Sequence, residues 1–231
     1  MVTQTPTRTA DPKGRPTSCP SEKVQEQYRS LLCRLPWPGN GASRPLQTLG
    51  ITSCYRGEGV SMVASQLAAT AASTDRGPVL LVDSNLASPS AERTFELDPG
   101  AGLAEVLLKG RNLLSCIQPS PVRNLSVLTA GDSHGRETQV YDPAGLAEML
   151  EVFKGLFKLV VFDMPPAGQS GLAVRLASLM DGVLLVVEAE RIRWEVARRA
   201  TEELRRSSVP LLGAVLNKRR QHVPEWLYRT L

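Results

Sequence analysis

The chain has 231 residues, 42% of them apolar, 22% charged and 5% aromatic, with a net charge of +4. That balance belongs to an ordinary folded protein long enough to bury its own core, so no disulfide or metal staple is needed. It also excludes a membrane-spanning helix: no apolar run approaches the ~20 residues required, and the longest are Val183–Val187 and Leu159–Phe162.

In chain order, residues 1–20 read as a disordered polar tail, with Pro6, Pro12, Pro16 and Pro20 among Thr, Ser and single charges. They lack the apolar segment of a signal peptide, and the expected location is the cytoplasm. Residues 21–45 read as a helix and a linker. Ser21 caps the helix, Val24, Tyr28, Leu31, Leu32 and Leu35 share one face, and Pro36-Trp37-Pro38-Gly39-Asn40-Gly41 ends it. From residue 46 to 217 short β-branched or Leu-rich runs alternate with amphipathic stretches. Strands are expected at Thr48–Ser53, Val79–Asp83, Leu125–Thr129, Leu159–Asp163, Gly182–Glu188 and Leu211–Asn217. Helices are expected at Val60–Ser73, Leu103–Leu108, Pro143–Phe157, Leu172–Met180 and Trp194–Ser207, with Asp142-Pro143 as a strong start signal. Strands that are apolar throughout and separated by helices predict an α/β, doubly wound, mainly parallel sheet flanked by helices.

The four cysteines, Cys19, Cys33, Cys54 and Cys116, are widely spaced, and His134 and His222 are the only histidines. Free thiols are expected, and a zinc site is not. Residues 191–231 hold ten Lys or Arg against four Glu, a surplus of +6 against −2 for the rest. A basic end suits nucleic acid, an anionic membrane surface or an acidic partner, but Arg198, Glu202 and Arg206 at i+4 spacing favour a solvated helix face. The segment 218–231 is basic and aromatic, and Trp226, Leu227 and Leu231 read best as a short docking helix.

Ligands of such sheets bind at the carboxyl ends of strands. The first strand-to-helix turn, Ile51 to Met62, carries Gly57-x-Gly59-x-Ser61 and opens an Ala-rich helix. Consecutive backbone N–H groups there form an anion nest. The spacing fits a Walker A loop, with Cys54 in place of the first Gly and Val60 in place of the Lys, while Ser61 keeps a hydroxyl for Mg²⁺. A tight turn that needs glycine for geometry alone explains the loop equally well. Two acids at later strand tips shift the balance: Asp83 after Leu80-Leu81-Val82, and Asp163 after Val160-Val161-Phe162 in Walker B form.

On these motifs the chain resembles the bacterial tyrosine kinases of capsule and exopolysaccharide synthesis, a branch of the MinD/ParA-like P-loop ATPases, over residues 21–217. The family helix motif Glu-x-x-Arg-x-x-Arg matches at Glu26 and Arg29, with Leu32 in place of the last Arg. Its loop Pro-Gly-Glu-Gly-Lys-Ser corresponds to Arg56-Gly57-Glu58-Gly59-Val60-Ser61. Its motif Asp-x-Asp-Leu-Arg-x-Pro keeps Asp83, Leu86 and Pro89, while Asn85 and Ala87 replace the second Asp and the Arg. Gly102–Leu107, Asp163-Met164-Pro165-Pro166, Asp181–Val187 and Leu212–Asn217 resemble later family segments. Tyr55 stands where partition ATPases carry a further Lys, which disfavours that branch.

The resemblance implies a P-loop NTPase fold, with ATP or ADP and Mg²⁺ as cofactors of a functional site. It places Arg56, Gly57, Glu58, Gly59, Val60, Ser61 and Met62 around the phosphates, and Asn217 at adenine. It makes Asp83 and Asp163 the catalytic carboxylates, shares Mg²⁺ among them and Ser61, makes Tyr228 the phosphoacceptor, and puts Glu26 and Arg29 in contacts of a homo-oligomer. It implies as partner a membrane polysaccharide co-polymerase (chain-length determinant protein) that recruits the chain to the inner face of the membrane; nucleic acid is not expected. Because Val60 cannot act as the loop cation, the expected function is a catalytically weakened, regulatory P-loop protein of exopolysaccharide assembly. Two alternatives stay open: an active tyrosine autokinase or ATPase in which Arg56 or another cation replaces the Lys, and a binding module without nucleotide that acts through its basic C-terminal end.

Overall fold

A computed structural model describes residues 22–36, 45–74 and 77–219. The tail 1–20, the Ser21 cap, most of the linker, and the C-terminal segment from residue 220, with Tyr228, lie outside the described residues. Seven strands form one sheet in the described residues: β1 (Thr48–Ser53), β2 (Val79–Asp83), β3 (Ile117–Pro119), β4 (Leu125–Leu128), β5 (Leu159–Asp163), β6 (Gly182–Glu188) and β7 (Leu211–Asn217). Their order is β3-β4-β2-β5-β1-β6-β7, parallel except for β3, which runs antiparallel to β4 at one edge. The doubly wound, mainly parallel sheet expected from the sequence is therefore present. The antiparallel edge strand is an addition, too short and too polar (Ile117-Gln118-Pro119) to show in a hydropathy pattern.

Strands β1, β2 and β5 are buried along their full length, which is why their sequences run apolar rather than alternating. On one face, α1 (Glu22–Arg34) and α2 (Val60–Ala72) pack with the short α3 (Ala91–Phe95) over Leu49, Ile51, Leu81 and Val161. Alanines fill much of the buried stripe of α2, so its backbone lies close to the strands. In α1, Leu32 and Leu35 are buried and Tyr28 and Leu31 half-buried, but Val24, expected on the same face, is 36% exposed because it sits on the first turn, beyond the reach of α2.

The other face carries α4 (Leu103–Lys109), α5 (Leu113–Cys116), α6 (Glu137–Val140), α7 (Pro143–Leu156), α8 (Gly171–Ser178) and α9 (Trp194–Arg206), packed on Leu80, Val82, Val160 and Phe162. The α7 start is capped by Asp142, whose carboxylate accepts from the Ala144 and Gly145 N–H groups, with Pro143 at the first helical position. On α9 only Ala200 and Leu204 are buried, and the Arg198 guanidinium pairs with Glu202 at 2.8 Å, the solvated face expected from the i+4 spacing. Cys33, Cys54 and Cys116 are free thiols, as expected.

At the amino ends of the strands one carboxylate ties β1 to β6. Asp181 accepts from the Gln47 N–H (3.1 Å), the Thr48 N–H (2.8 Å) and the Thr48 hydroxyl (2.9 Å). Hydrogen bonds to an ionised acceptor contribute about 1.5–3 kcal/mol. Asp181→Ala is therefore expected to destabilise the fold by about 2 kcal/mol, read as a lower urea midpoint at unchanged slope. An unchanged midpoint would show that the contact contributes nothing.

Candidate functional site

The site lies where the strand order reverses, at the carboxyl ends of β1, β5 and β2. β5 inserts between β1 and β2, and its register places Asp163 beside both Asp83 and Ile51. The two strand-end acids that lie 80 residues apart in sequence are thereby neighbours.

The loop from Cys54 to Gly59 turns through two left-handed glycines, Gly57 (φ 87°) and Gly59 (φ 94°), into α2. Gly59 is the N-cap residue and makes no side-chain cap. A Cβ on Gly59 would come within 2.3 Å of Asn217 Nδ2, so this turn requires glycine for space as well as for backbone conformation. The cleft above has a volume of about 560 Å³, and Arg56, Gly57, Gly59, Val60, Ser61 and Met62 are on its wall. Six of the seven expected loop residues thus come together, with Asn217 against the loop on the same cleft.

Glu58 does not join them. Its side chain is fully buried beneath the loop, where the carboxylate accepts from the Tyr55 N–H and, at 3.0 Å, from the Glu188 N–H at the end of β6. The expectation that Glu58 lies around the phosphates is not met, because its buried carboxylate braces the loop against the sheet instead. Asn217 is engaged as well: its amide donates to the Glu58 carbonyl at 2.9 Å. Cys54, at the first-Gly position, is buried, and burial followed by the nearby Glu58 pushes its thiol up to about 11.

The two carboxylates differ in what they have left to offer. Asp83 accepts from the N–H groups of Asn85 (3.1 Å), Ser90 (2.7 Å) and Ala91 (2.9 Å), and so holds its own loop and the start of α3. Its pKa is raised by burial, against those bonds. Asp163 is raised to about 7, first by burial and then by the Asp83 charge, with the Ser61 and Ser90 hydroxyls pulling it back. Its Oδ1 is buried without a hydrogen-bond partner, and so is Asn85 Oδ1 on the same cleft. An orphaned carboxylate oxygen beside the loop serine is a donor set of hard oxygens, which fits a Mg²⁺ ion that keeps most of its waters. Among the described residues no cluster of three or more His, Cys, Asp or Glu forms an all-protein metal cage.

Arg56 reaches across the mouth of the cleft and donates to the Ala87 carbonyl at 3.1 Å. Glu26 and Arg29 lie on the exposed side of α1 and pair with each other at 3.7 Å, and Leu32 is buried. No helix among the described residues is long and apolar enough to cross a membrane. Two residues that the sequence did not single out meet at the loop: Glu188 and Lys218, paired at 3.2 Å, with the lysine also donating to the Gly57 carbonyl at 2.6 Å. The only sequence signal was that Lys218 directly follows Asn217.

No family model matches the chain. It is 30% identical to the tyrosine-protein kinase YwqD of Bacillus subtilis (strain 168) over 86% of this chain and 82% of that one. It is 28% identical to the tyrosine-protein kinase CpsD of Streptococcus agalactiae, over 86% of this chain and 85% of that one. The succinoglycan biosynthesis transport protein ExoP of Rhizobium meliloti (strain 1021) is 27% identical over 74% of this chain, which spans 22% of ExoP. Among solved structures, the chimerical protein CapA2B2 superposes with a TM-score of 0.77 at 24% identity, over 90% of this chain and 88% of that one. The septum site-determining protein MinD of Pyrococcus horikoshii OT3, complexed with Mg-ADP, gives 0.65 at 21% identity over 80% and 76%.

Proposed function

The chain belongs to the bacterial tyrosine kinase family of capsule and exopolysaccharide biosynthesis, and on that footing we propose that it is a catalytically weakened, regulatory member. It binds a Mg²⁺–nucleotide complex loosely and serves as the partner of a membrane polysaccharide co-polymerase, which draws it to the inner face of the membrane. The observation that carries this reading is Val60. Its side chain is 8% exposed and packs into the core under α2, at the position from which a Walker A lysine reaches the β- and γ-phosphates. Losing that charge-assisted contact costs roughly 1.5–3 kcal/mol of binding. Losing a transition-state stabiliser costs about 10²–10³ in rate.

The remaining residues are suited to holding nucleotide more than to transferring phosphate. The free amides at the start of α2 face the phosphates, Ser61 and Asp163 hold the metal, and Asp83 keeps the adjoining loop in place. Bound Mg²⁺ supplies charge neutralisation at the phosphate oxygens. Glu26 and Arg29 are free to re-pair with a second copy, since an exposed pair such as theirs contributes only about 0–1 kcal/mol where it is.

Calorimetric titration with ATP and ADP, with and without Mg²⁺, tests the reading. Weak, Mg²⁺-dependent binding that disappears in Asp163→Ala, with slow phosphate incorporation, is the expected result. Rapid Mg²⁺-dependent incorporation that is lost in Tyr228→Phe would favour the active autokinase instead. Silence at millimolar nucleotide would remove the nucleotide role.

A further inference from the structure

The loop that lacks a lysine of its own has one laid over it from the far end of the sheet. Lys218 directly follows β7 and has a left-handed backbone (φ 56°), a conformation that side chains rarely adopt. That turn brings the side chain back over the loop, where Nζ donates to the Gly57 carbonyl at 2.6 Å and to the Glu188 carboxylate at 3.2 Å. The preceding residue, Asn217, is bonded to the next loop carbonyl, that of Glu58, at 2.9 Å. The last residue of β7 and the one after it thus clamp two successive peptides of the glycine loop. Lys218 lines the same cleft as Gly57, Gly59 and Ser61.

Resting on the nucleotide-binding reading above, we propose that Lys218 supplies, from outside the loop, the cation that Val60 withholds, and binds the polyphosphate of the nucleotide directly. A lysine carries three donors on a flexible four-carbon stem, and this side chain is 46% exposed. Swinging to the phosphates exchanges the neutral Gly57 carbonyl, and a Glu188 carboxylate already shared with Arg191, for oxygens of a more highly charged group, which makes the stronger bonds. Glu188 restrains it only in part, because Arg191 pairs with the same carboxylate oxygen at 2.8 Å and keeps that carboxylate partnered when the lysine leaves. The other cations at the cleft bond carbonyls of the 87–89 segment rather than of the glycine loop: Arg56 that of Ala87 and Arg93 that of Pro89. An ammonium entering beside Gly57 can hold a nucleotide in place without matching the approach of a Walker A lysine from α2. Such a contact would pair nucleotide retention with weak transfer.

Titrations of Mg²⁺–ATP into the wild-type chain, Lys218→Gln and Lys218→Arg decide the matter. Lys218→Gln is expected to bind about 10- to 100-fold more weakly, and Lys218→Arg to stay within about threefold, since it keeps the charge. Glu188→Gln, which leaves Lys218 unopposed, is expected to bind more tightly, and that gain is expected to vanish in the double variant with Lys218→Gln. The Glu188→Gln measurement changes nothing at Lys218, so it stands even where a Lys218 variant folds poorly, and unchanged binding there would count against the proposal. If the wild type binds and Lys218→Gln binds equally well, the role of Lys218 is overturned and the nucleotide site stands. If the wild type is silent at millimolar ATP, the nucleotide reading fails and the role of Lys218 falls with it.

Discussion

Asp163→Asn is expected to abolish Mg²⁺-dependent nucleotide binding and, in the same molecule, to raise the melting temperature at pH 8. Both effects have one cause. Asp163 is a buried carboxylate with an unpartnered oxygen, raised from an ordinary 3.8 to about 7 by burial and by its neighbour Asp83. A raised pKa means that the folded state favours the protonated form. The stability this contributes is fully present below about pH 3.8 and is lost as the pH rises through about 7. At pH 8 the fold therefore contains an ionised, uncompensated group unless a cation neutralises it. Asparagine removes that charge. Melting curves without Mg²⁺ from pH 4 to 8.5 are expected to show the variant and wild type together at the acid end. Toward pH 8 the variant is expected to gain a lead of about 4 °C or more, on the scale of 2–4 °C per kcal/mol for a chain of this size. A lead that is constant with pH, or that grows toward acid, would show that the carboxylate is not strained in the fold.

The second large effect is expected at Gly102. Here the backbone is extended, and the constraint is space: a Cβ would sit 2.3 Å from the Thr129 carbonyl oxygen and 2.5 Å from the Gly131 nitrogen, both main-chain atoms. The start of α4 is docked on the segment leaving β4, with the Leu103 N–H bonded to the Thr129 carbonyl at 2.8 Å and the Ala104 N–H to the Ala130 carbonyl at 3.0 Å. The Glu105 carboxylate closes the joint by accepting from the Gly102 and Asp132 N–H groups, at 2.9 and 3.2 Å. Gly102→Ala cannot be absorbed by a side-chain rotation, and prying the two strips of backbone apart also breaks the cap. We expect a loss of about 3 kcal/mol, or about 6–12 °C in melting temperature. A variant that melts within about 2 °C of wild type would show that the joint is loose.

The fold was legible because its rules are local. Leu80-Leu81-Val82-Asp83 and Val160-Val161-Phe162-Asp163 are fully buried strands ending in acids, and both segments lie where hydropathy places them. Asp142-Pro143 marks a helix start on its own. Gly57 and Gly59 announce a turn needing positive φ, and both have it. What escaped is set by contacts between distant segments. Nothing near Glu58 in sequence says that its carboxylate turns inward to the Glu188 N–H, 130 residues away. Nothing near Lys218 says that the chain after β7 bends back to Gly57, 161 residues away. Asp83 and Asp163 read alike as strand-end acids, and only the local path of the 84–91 loop shows that the first is consumed by backbone donors while the second is not. Tyr228 and the aromatic segment around it lie outside the described residues.

Cys54 has a consequence for the chemical durability of the chain. Nucleophilic attack by a cysteine requires the thiolate. With a pKa of about 11, fewer than about one Cys54 in a thousand is ionised at neutral pH. Burial and the scarcity of thiolate together disfavour reaction of the Cys54 sulfur with peroxides, disulfides and alkylating agents, which is expected to show as slow labelling by a thiol reagent in the folded protein. Sulfur chemistry in the described residues falls instead to Cys33, exposed on α1 and remote in sequence from the loop.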